Sequence, residues 1–220
     1  MLTSQKHVFW NALLLTLFVF AAGMFMGFMI ENWRTGEIAS LSQESELQLL
    51  DVRVQNDVFS LSQLNCERAV EENILFGDRI YEESSLLTKY DEASRISESI
   101  KLQHRKYDLL RALFWVNSIK LREKCSASFH NVVYIYDYNN PRLDVRAKQS
   151  VFGNLLGELK QKQGNKIMLI PFAGDNELSS ISTLMSLYNV SEEELPVVLI
   201  DEKIKIREME SLAQLEGYLV

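Results

Sequence analysis

Thiol chemistry is the first to weigh, because the 220 residues include two cysteines, Cys66 and Cys125. A thiolate attacks a disulfide and a second thiol resolves the mixed product, so an exposed, adjacent pair is enough for redox exchange. The same pair could instead form one structural bridge, but two cysteines alone cannot supply a four-ligand zinc site. The three histidines, His7, His104 and His130, are far apart in the chain, and His130 reads as a surface residue at a strand end. There is no glycine-rich phosphate loop, since Gly153 and Gly157 fall inside a helical pattern. Glu192-Glu193-Glu194 reads as a solvated acidic turn without the ligand spacing of a calcium loop. Asn189-Val190-Ser191 is a glycosylation sequon that matters only outside the cytoplasm, and Asn189 also stands where a helix end favours a left-handed residue. No catalytic residue, cofactor site or metal site is expected outside the cysteine pair.

The elements that hold these residues begin with an apolar run. Residues 8–30 contain only two polar side chains, Asn11 and Thr16. A helix of that length reaches about 35 Å, enough for a hydrocarbon core of about 30 Å. Trp10 and Trp33 flank it, as interfacial rings do. A cleaved signal peptide is the rival reading, with Ala21-Ala22-Gly23 as the cleavage site. A signal's apolar stretch is shorter, which favours a retained anchor over residues 1–36. Lys6 and the terminal amine tip the orientation toward a cytoplasmic N-terminus, a single pass through the cell membrane and an extracytoplasmic C-terminal region. Gly23 and Gly27 share a helix face on which two spans could meet as a homodimer, although glycine is common in membrane helices anyway.

Residues 37–128 contain no proline and a single glycine, Gly77. Leu47, Leu50, Val54, Val58, Leu61 and Leu64 form one stripe at helical spacing; Ile96, Ile100, Tyr107, Leu110, Phe114 and Leu121 form another, with gaps at Gln103 and Asn117. The polar stretch 88–94 lies between them, with Asp91 or Ser94 able to cap a second helix. The pattern predicts an antiparallel helical coiled hairpin acting as a stalk. Cys66 and Cys125 are equidistant from a point between Arg95 and Ile96, close to that turn, so a bridge across the hairpin is geometrically sensible. Two unrelated buried thiols are the alternative. A bridge between packed helices would be shielded, a poor exchanger.

Residues 129–220 change character. Val132–Tyr136, Ile167–Ile170, Pro196–Ile200 and Lys203–Arg207 read as strands, the last two joined by a tight turn at Asp201-Glu202. Helical spacing covers 143–163, with Val151, Leu155, Leu156 and Leu159 inward and Gly164 as its stop. It also covers 177–188, with Leu178, Ile181, Leu184 and Leu187 inward, and a terminal helix with Leu212, Leu215 and Leu219. The order is β-α-β-α-β-β-α. The first two strands need a crossover and should be parallel, while the last two form a hairpin.

This order resembles the thioredoxin fold. Tyr188-Asn189-Val190 followed by Leu195-Pro196-Val197-Val198 resembles the helix end and cis-proline loop of that family. Asn140-Pro141-Arg142-Leu143 occupies the place of its Cys-Pro-x-Cys loop. The whole layout is similar to single-span archaeal membrane proteins carrying a coiled hairpin and an outward thioredoxin-like domain. The resemblance implies an α/β C-terminal domain with a groove for extended peptide, bounded here by Asn140, Pro141, Leu195 and Pro196. It does not carry over the family's redox chemistry, because Asn140 and Leu143 fill both cysteine positions. The implied function is protein or peptide binding by a membrane-anchored, redox-inactive protein; the alternative is a thiol–disulfide oxidoreductase using Cys66 and Cys125. With 30 acidic and 23 basic residues, net −7, the chain has the wrong sign for a nucleic-acid binder.

Overall fold

A computed structural model describes residues 3–60, 64–94, 98–139, 141–208 and 210–219. The chain divides into two compact units, residues 1–44 and 45–220. The first unit belongs to helix α1 (Thr3–Phe59). Its segment His7–Asn32 has a mean hydropathy of 2.4 and is long and apolar enough to cross a membrane. None of that segment is buried in the protein, so Leu14, Phe18, Phe25 and their neighbours have no internal partner to cover them.

The second unit is a helix–sheet–helix sandwich. Helix α2 (Cys66–Ser94) and helix α3 (Glu98–Cys125) lead into strand β1 (His130–Tyr136). Then follow α4 (Leu143–Gln163), β2 (Ile167–Ala173), α5 (Ser179–Leu187), β3 (Val197–Ile200), β4 (Ile204–Ile206) and α6 (Leu212–Gly217). The four strands lie in the order β2-β1-β3-β4. β1 is parallel to β2 and antiparallel to β3, and β3–β4 is an antiparallel hairpin. Asp201 and Glu202, at φ 51° and 60°, turn that hairpin; two left-handed residues match the twist of the strands they join. Pro171 pairs opposite Tyr134 in β2. It has no N–H to donate, which an edge strand tolerates.

Strand alternation separates two cores. Val133, Ile135, Met168, Ile170, Phe172, Val197 and Leu199 face a cluster that includes Phe76, Ile80, Tyr107, Leu110, Phe114, Trp115 and Ile181 of α2, α3 and α5. Val132, Tyr134, Ile167, Val198, Ile200 and Ile206 face Phe152, Leu156, Leu159 and Leu215 of α4 and α6. Gly77 of α2 lies so close to the sheet that an added Cβ would be 2.9 Å from Phe114 Cζ and 3.3 Å from Met168 Sδ.

The helices correct the sequence reading in three places. α2 and α3 are antiparallel, pairing Cys66 with Cys125 and Phe76 with Phe114, but they cover one face of the sheet and do not stand away from it as a stalk. The stripe Leu47, Leu50, Val54 and Val58 is exposed, and Gln48, Val52 and Phe59 turn inward instead. Polar contacts decide that face: Asn117 Nδ2 donates to Val52 O at 2.8 Å, Lys120 Nζ to Asn56 Oδ1 at 2.7 Å and Lys124 Nζ to Phe59 O at 2.7 Å. Both partners rise together in number, so the end of α1 runs parallel to α3. Finally, Val151 and Leu187 are exposed, with Phe152 and Met185 buried beside them. Leu61 and Ile96 lie outside the described residues.

Candidate functional site

The loops that follow β1 and β2 and precede β3 lie together, and of the residues the sequence assigned to a groove, Leu195 lines the cleft there while Pro141 and Pro196 are not among its lining residues. These loops border a cleft of about 950 Å³ lined by Asp137, Asn139, Asp175, Asn176, Glu177, Glu192, Glu193 and Leu195, with Lys101, Leu102 and Arg105 of α3 on the remaining wall. Leu195 is buried and its bond to Pro196 is cis. Pro141 is half-buried, Leu143 opens α4 with 83% of its surface exposed, and Asn140 lies outside the described residues.

Two carboxylates tie these loops together. Asp175 accepts from the backbone N–H of Tyr138 at 2.8 Å and of Asn139 at 2.6 Å, while Asn139 Nδ2 donates to Asp175 O at 2.7 Å. The loop after β2 is held in turn by Asp108 of α3, which accepts from Ala173 N at 3.2 Å and from the Asn176 side-chain amide. Arg111 Nη1 stands 3.6 Å from Asp108 Oδ1, with both side chains buried. Burial pushes the Asp108 carboxyl up to about 6, and the Arg111 charge, the Ala173 hydrogen bond, His104 and Asn176 only partly offset it. Gly174 completes the loop. A Cβ there would be 2.9 Å from Leu195 Cδ1 and 3.0 Å from Ile135 Cγ2, so glycine lets the two loops approach.

At the other end of the sheet a second polar network fastens α3 to the β3–β4 turn. Arg122 bridges Asp201 and Glu202. Trp115 Nε1 donates to Glu202 Oε1 at 2.7 Å, and His130 Nδ1 lies 2.6 Å from Asp201 Oδ2. His130 thus opens β1 as a half-buried partner of Asp201. His104 is buried with its ring 4.2 Å from that of Tyr138, and no group of three or more His, Cys, Asp or Glu able to hold a metal occurs among the described residues.

Cys66 and Cys125 are joined by a disulfide with Cα atoms 5.4 Å apart, away from the groove loops. Gly23 and Gly27 lie four apart on α1, with nothing within 4 Å of a Cβ added at either. Asn189, at φ 54°, terminates α5: the Val190 N–H donates back to Met185 O at 2.8 Å. That local role accounts for an asparagine at the sequon position.

Sequence reasoning missed the Asp108–Arg111–Asn176 cluster. The signal was a second inward row on α3, His104, Asp108, Arg111, Trp115 and Ser118, at alternating steps of four and three. The charges within it made the row look like a solvated face. No family model matches the chain, and no curated protein or solved structure is similar enough to show a relationship.

Proposed function

We propose that residues 129–220 are a thioredoxin-like domain without its reactive thiols, anchored to the cell membrane by α1 with the N-terminus cytoplasmic, and that it docks extended protein or peptide segments. The observation that carries the proposal is the open cleft between the Asp137–Asn139 loop and Leu195, with no cysteine among its described lining residues. The strand order β2-β1-β3-β4, helices on both sheet faces and the cis bond before β3 support the thioredoxin-like reading. The positions of the family's thiols hold Asn140 and Leu143, and neither an amide nor an alkyl group can attack a disulfide.

The cleft also favours a class of occupant. Asp137, Asp175, Glu177, Glu192 and Glu193 line it against Lys101 and Arg105. An extended segment carrying Lys or Arg would meet complementary charge, while an acidic one would be repelled. The test is binding of lysine-containing and glutamate-containing extended octapeptides to the full chain in detergent. The lysine peptides should bind more tightly, and Glu192→Lys with Glu193→Lys should weaken them several-fold, as expected for rim charges worth about 0.2–1 kcal/mol each. Equal binding of both peptide sets by wild type and variant would contradict the reading. Homodimerisation through Gly23 and Gly27 is compatible with this role and independent of it.

A further inference from the structure

The disulfide lies in a different environment from the one its place between two helices suggests. Cys66 and Cys125 are both half-buried, and both line an open cleft of about 510 Å³ on the protein surface. The walls are apolar at Val70, Ile74 and Phe129 and polar at Glu67 and Lys166. The bridge therefore borders a surface cleft and is not enclosed between the two helices.

The two sulfurs are also electrostatically unequal. Cys66 is the first residue of the 29-residue α2, whose N-terminus Asn65 caps by accepting from the Arg68 N–H at 3.1 Å. Cys125 is the last residue of the 28-residue α3. Helix dipoles stabilise a thiolate at the first position and disfavour one at the second. Glu67 in the first turn of α2 opposes this effect at Cys66, and Arg122 and Lys124 in the last turn of α3 oppose it at Cys125, so the helix ends set a modest difference. In thiol exchange the sulfur that leaves more readily is the one with the more stable thiolate.

We propose that Cys66–Cys125 is an exchange site for dithiols, a redox latch that opens and closes within the folded protein. One thiolate of the dithiol attacks Cys125 Sγ, forming a mixed disulfide. The bond to Cys66 breaks, and its electron pair leaves on Cys66 Sγ at the start of α2. The second thiol of the dithiol, deprotonated, then attacks its own mixed-disulfide sulfur and expels Cys125 as a thiolate. Two electrons pass from the dithiol to the bridge. The protons lost by the dithiol neutralise the two cysteine thiolates to the extent that their acidities demand, and the dithiol ends as a disulfide.

Opening the bridge leaves the rest of the hairpin held. Asn73 Nδ2 still donates to Ser118 Oγ at 3.1 Å, the Phe76 and Phe114 rings remain 5.6 Å apart, and both helices stay packed on the sheet. Phe59 of α1 packs with Ala69 and Leu121 beside Cys125, and Lys124 Nζ donates to Phe59 O at 2.7 Å independently of the bridge. The latch goes beyond the groove proposal and does not depend on it.

The test uses the full chain in non-ionic detergent with dithiothreitol as the dithiol. Free thiols are tagged over time by a mass-shifting maleimide, with guanidinium-denatured protein as the reference. A bridge reached only through global unfolding would lag the denatured reference by the folding constant, about 10³-fold or more. The proposal expects a smaller lag, with the near-ultraviolet circular dichroism of the native fold retained after reduction. A lag of that size or larger, or loss of the native spectrum on reduction, would overturn it. Brief iodoacetamide treatment of the reduced wild type at pH 7, followed by peptide mapping, tests the direction. Cys66 should be alkylated faster by up to about fivefold, the factor a helix-end charge effect supplies; faster reaction of Cys125 would reverse the assignment of attacked and leaving sulfur.

Discussion

Asp108 gives the second unit a pH dependence opposite to that of an ordinary salt-bridged carboxylate. Its carboxyl is fully buried and rises from 3.8 to about 6, burial outweighing the attraction of Arg111 and the hydrogen bonds from Ala173 and Asn176. Between those two values the folded protein holds a proton that the unfolded chain has lost, so falling pH favours the fold. The contribution grows as pH drops from about 7, and it is fully present below 3.8. A shift of that size corresponds to about 3 kcal/mol. The assay is urea unfolding of the full chain in detergent from pH 4 to 8, in a Trp10→Phe, Trp33→Phe background. Trp115, buried against Phe172 and Tyr188, then reports alone. Asp108→Asn supplies the comparison, because its amide cannot titrate. The wild-type curve should gain about 2 kcal/mol relative to the variant on going from pH 7 to pH 4, short of the full amount because the unfolded carboxyl is already partly protonated at pH 4. Parallel curves across that range would show that burial does not govern this carboxyl, and a relative loss on acidification would show that the Arg111 pair dominates.

Three further outcomes follow from the packing and the anchor. Gly77→Ala should destabilise the second unit by about 1–3 kcal/mol in the same unfolding assay, because its Cβ meets Phe114 and Met168; an unchanged midpoint would mean the α2–sheet contact is looser than described. Arg122→Ala leaves Asp201 and Glu202 without their shared cation beneath Trp115 and His130. It should cost about 1–3 kcal/mol, checked by urea unfolding. Protease added to intact cells should digest residues 45–220, and full protection until lysis would reverse the proposed orientation.

The sheet was legible because its strands are buried runs with clear punctuation. Gly164, at φ 56°, stops α4 where expected, and Asp201-Glu202 turns the last hairpin. The apolar N-terminal helix was equally plain, since nothing polar interrupts residues 17–30. The cysteine pairing was legible from symmetry about the hairpin turn, and the disulfide follows it. The placement of the helices was not. Periodicity shows that a face is apolar, not what covers it, and the Leu47–Val58 stripe lost to a polar face that hydrogen-bonds to α3. α3 itself is buried on two sides, against α2 and against the sheet, so Asp108 and Arg111 sit inside while looking like surface residues. The loop ties made by Asp175 and Asp108 join residues 36 to 68 apart in sequence, and no local pattern announces them.

The central claim is that the groove is a thioredoxin-like site emptied of its thiols, and restoring them tests it most directly. The sheet needs α2 and α3 to cover one face, so the experiment requires the full chain and not residues 129–220 alone. Insulin reduction driven by dithiothreitol is measured in a Cys66→Ser, Cys125→Ser background, which removes the native bridge, with and without Asn140→Cys and Leu143→Cys, each corrected for the uncatalysed rate. The account predicts no turnover in that background alone and measurable turnover once Asn140→Cys and Leu143→Cys are added, with a thiolate stabilised at the N-terminus of α4. Correctly folded protein that remains inactive with Asn140→Cys and Leu143→Cys in place would contradict it.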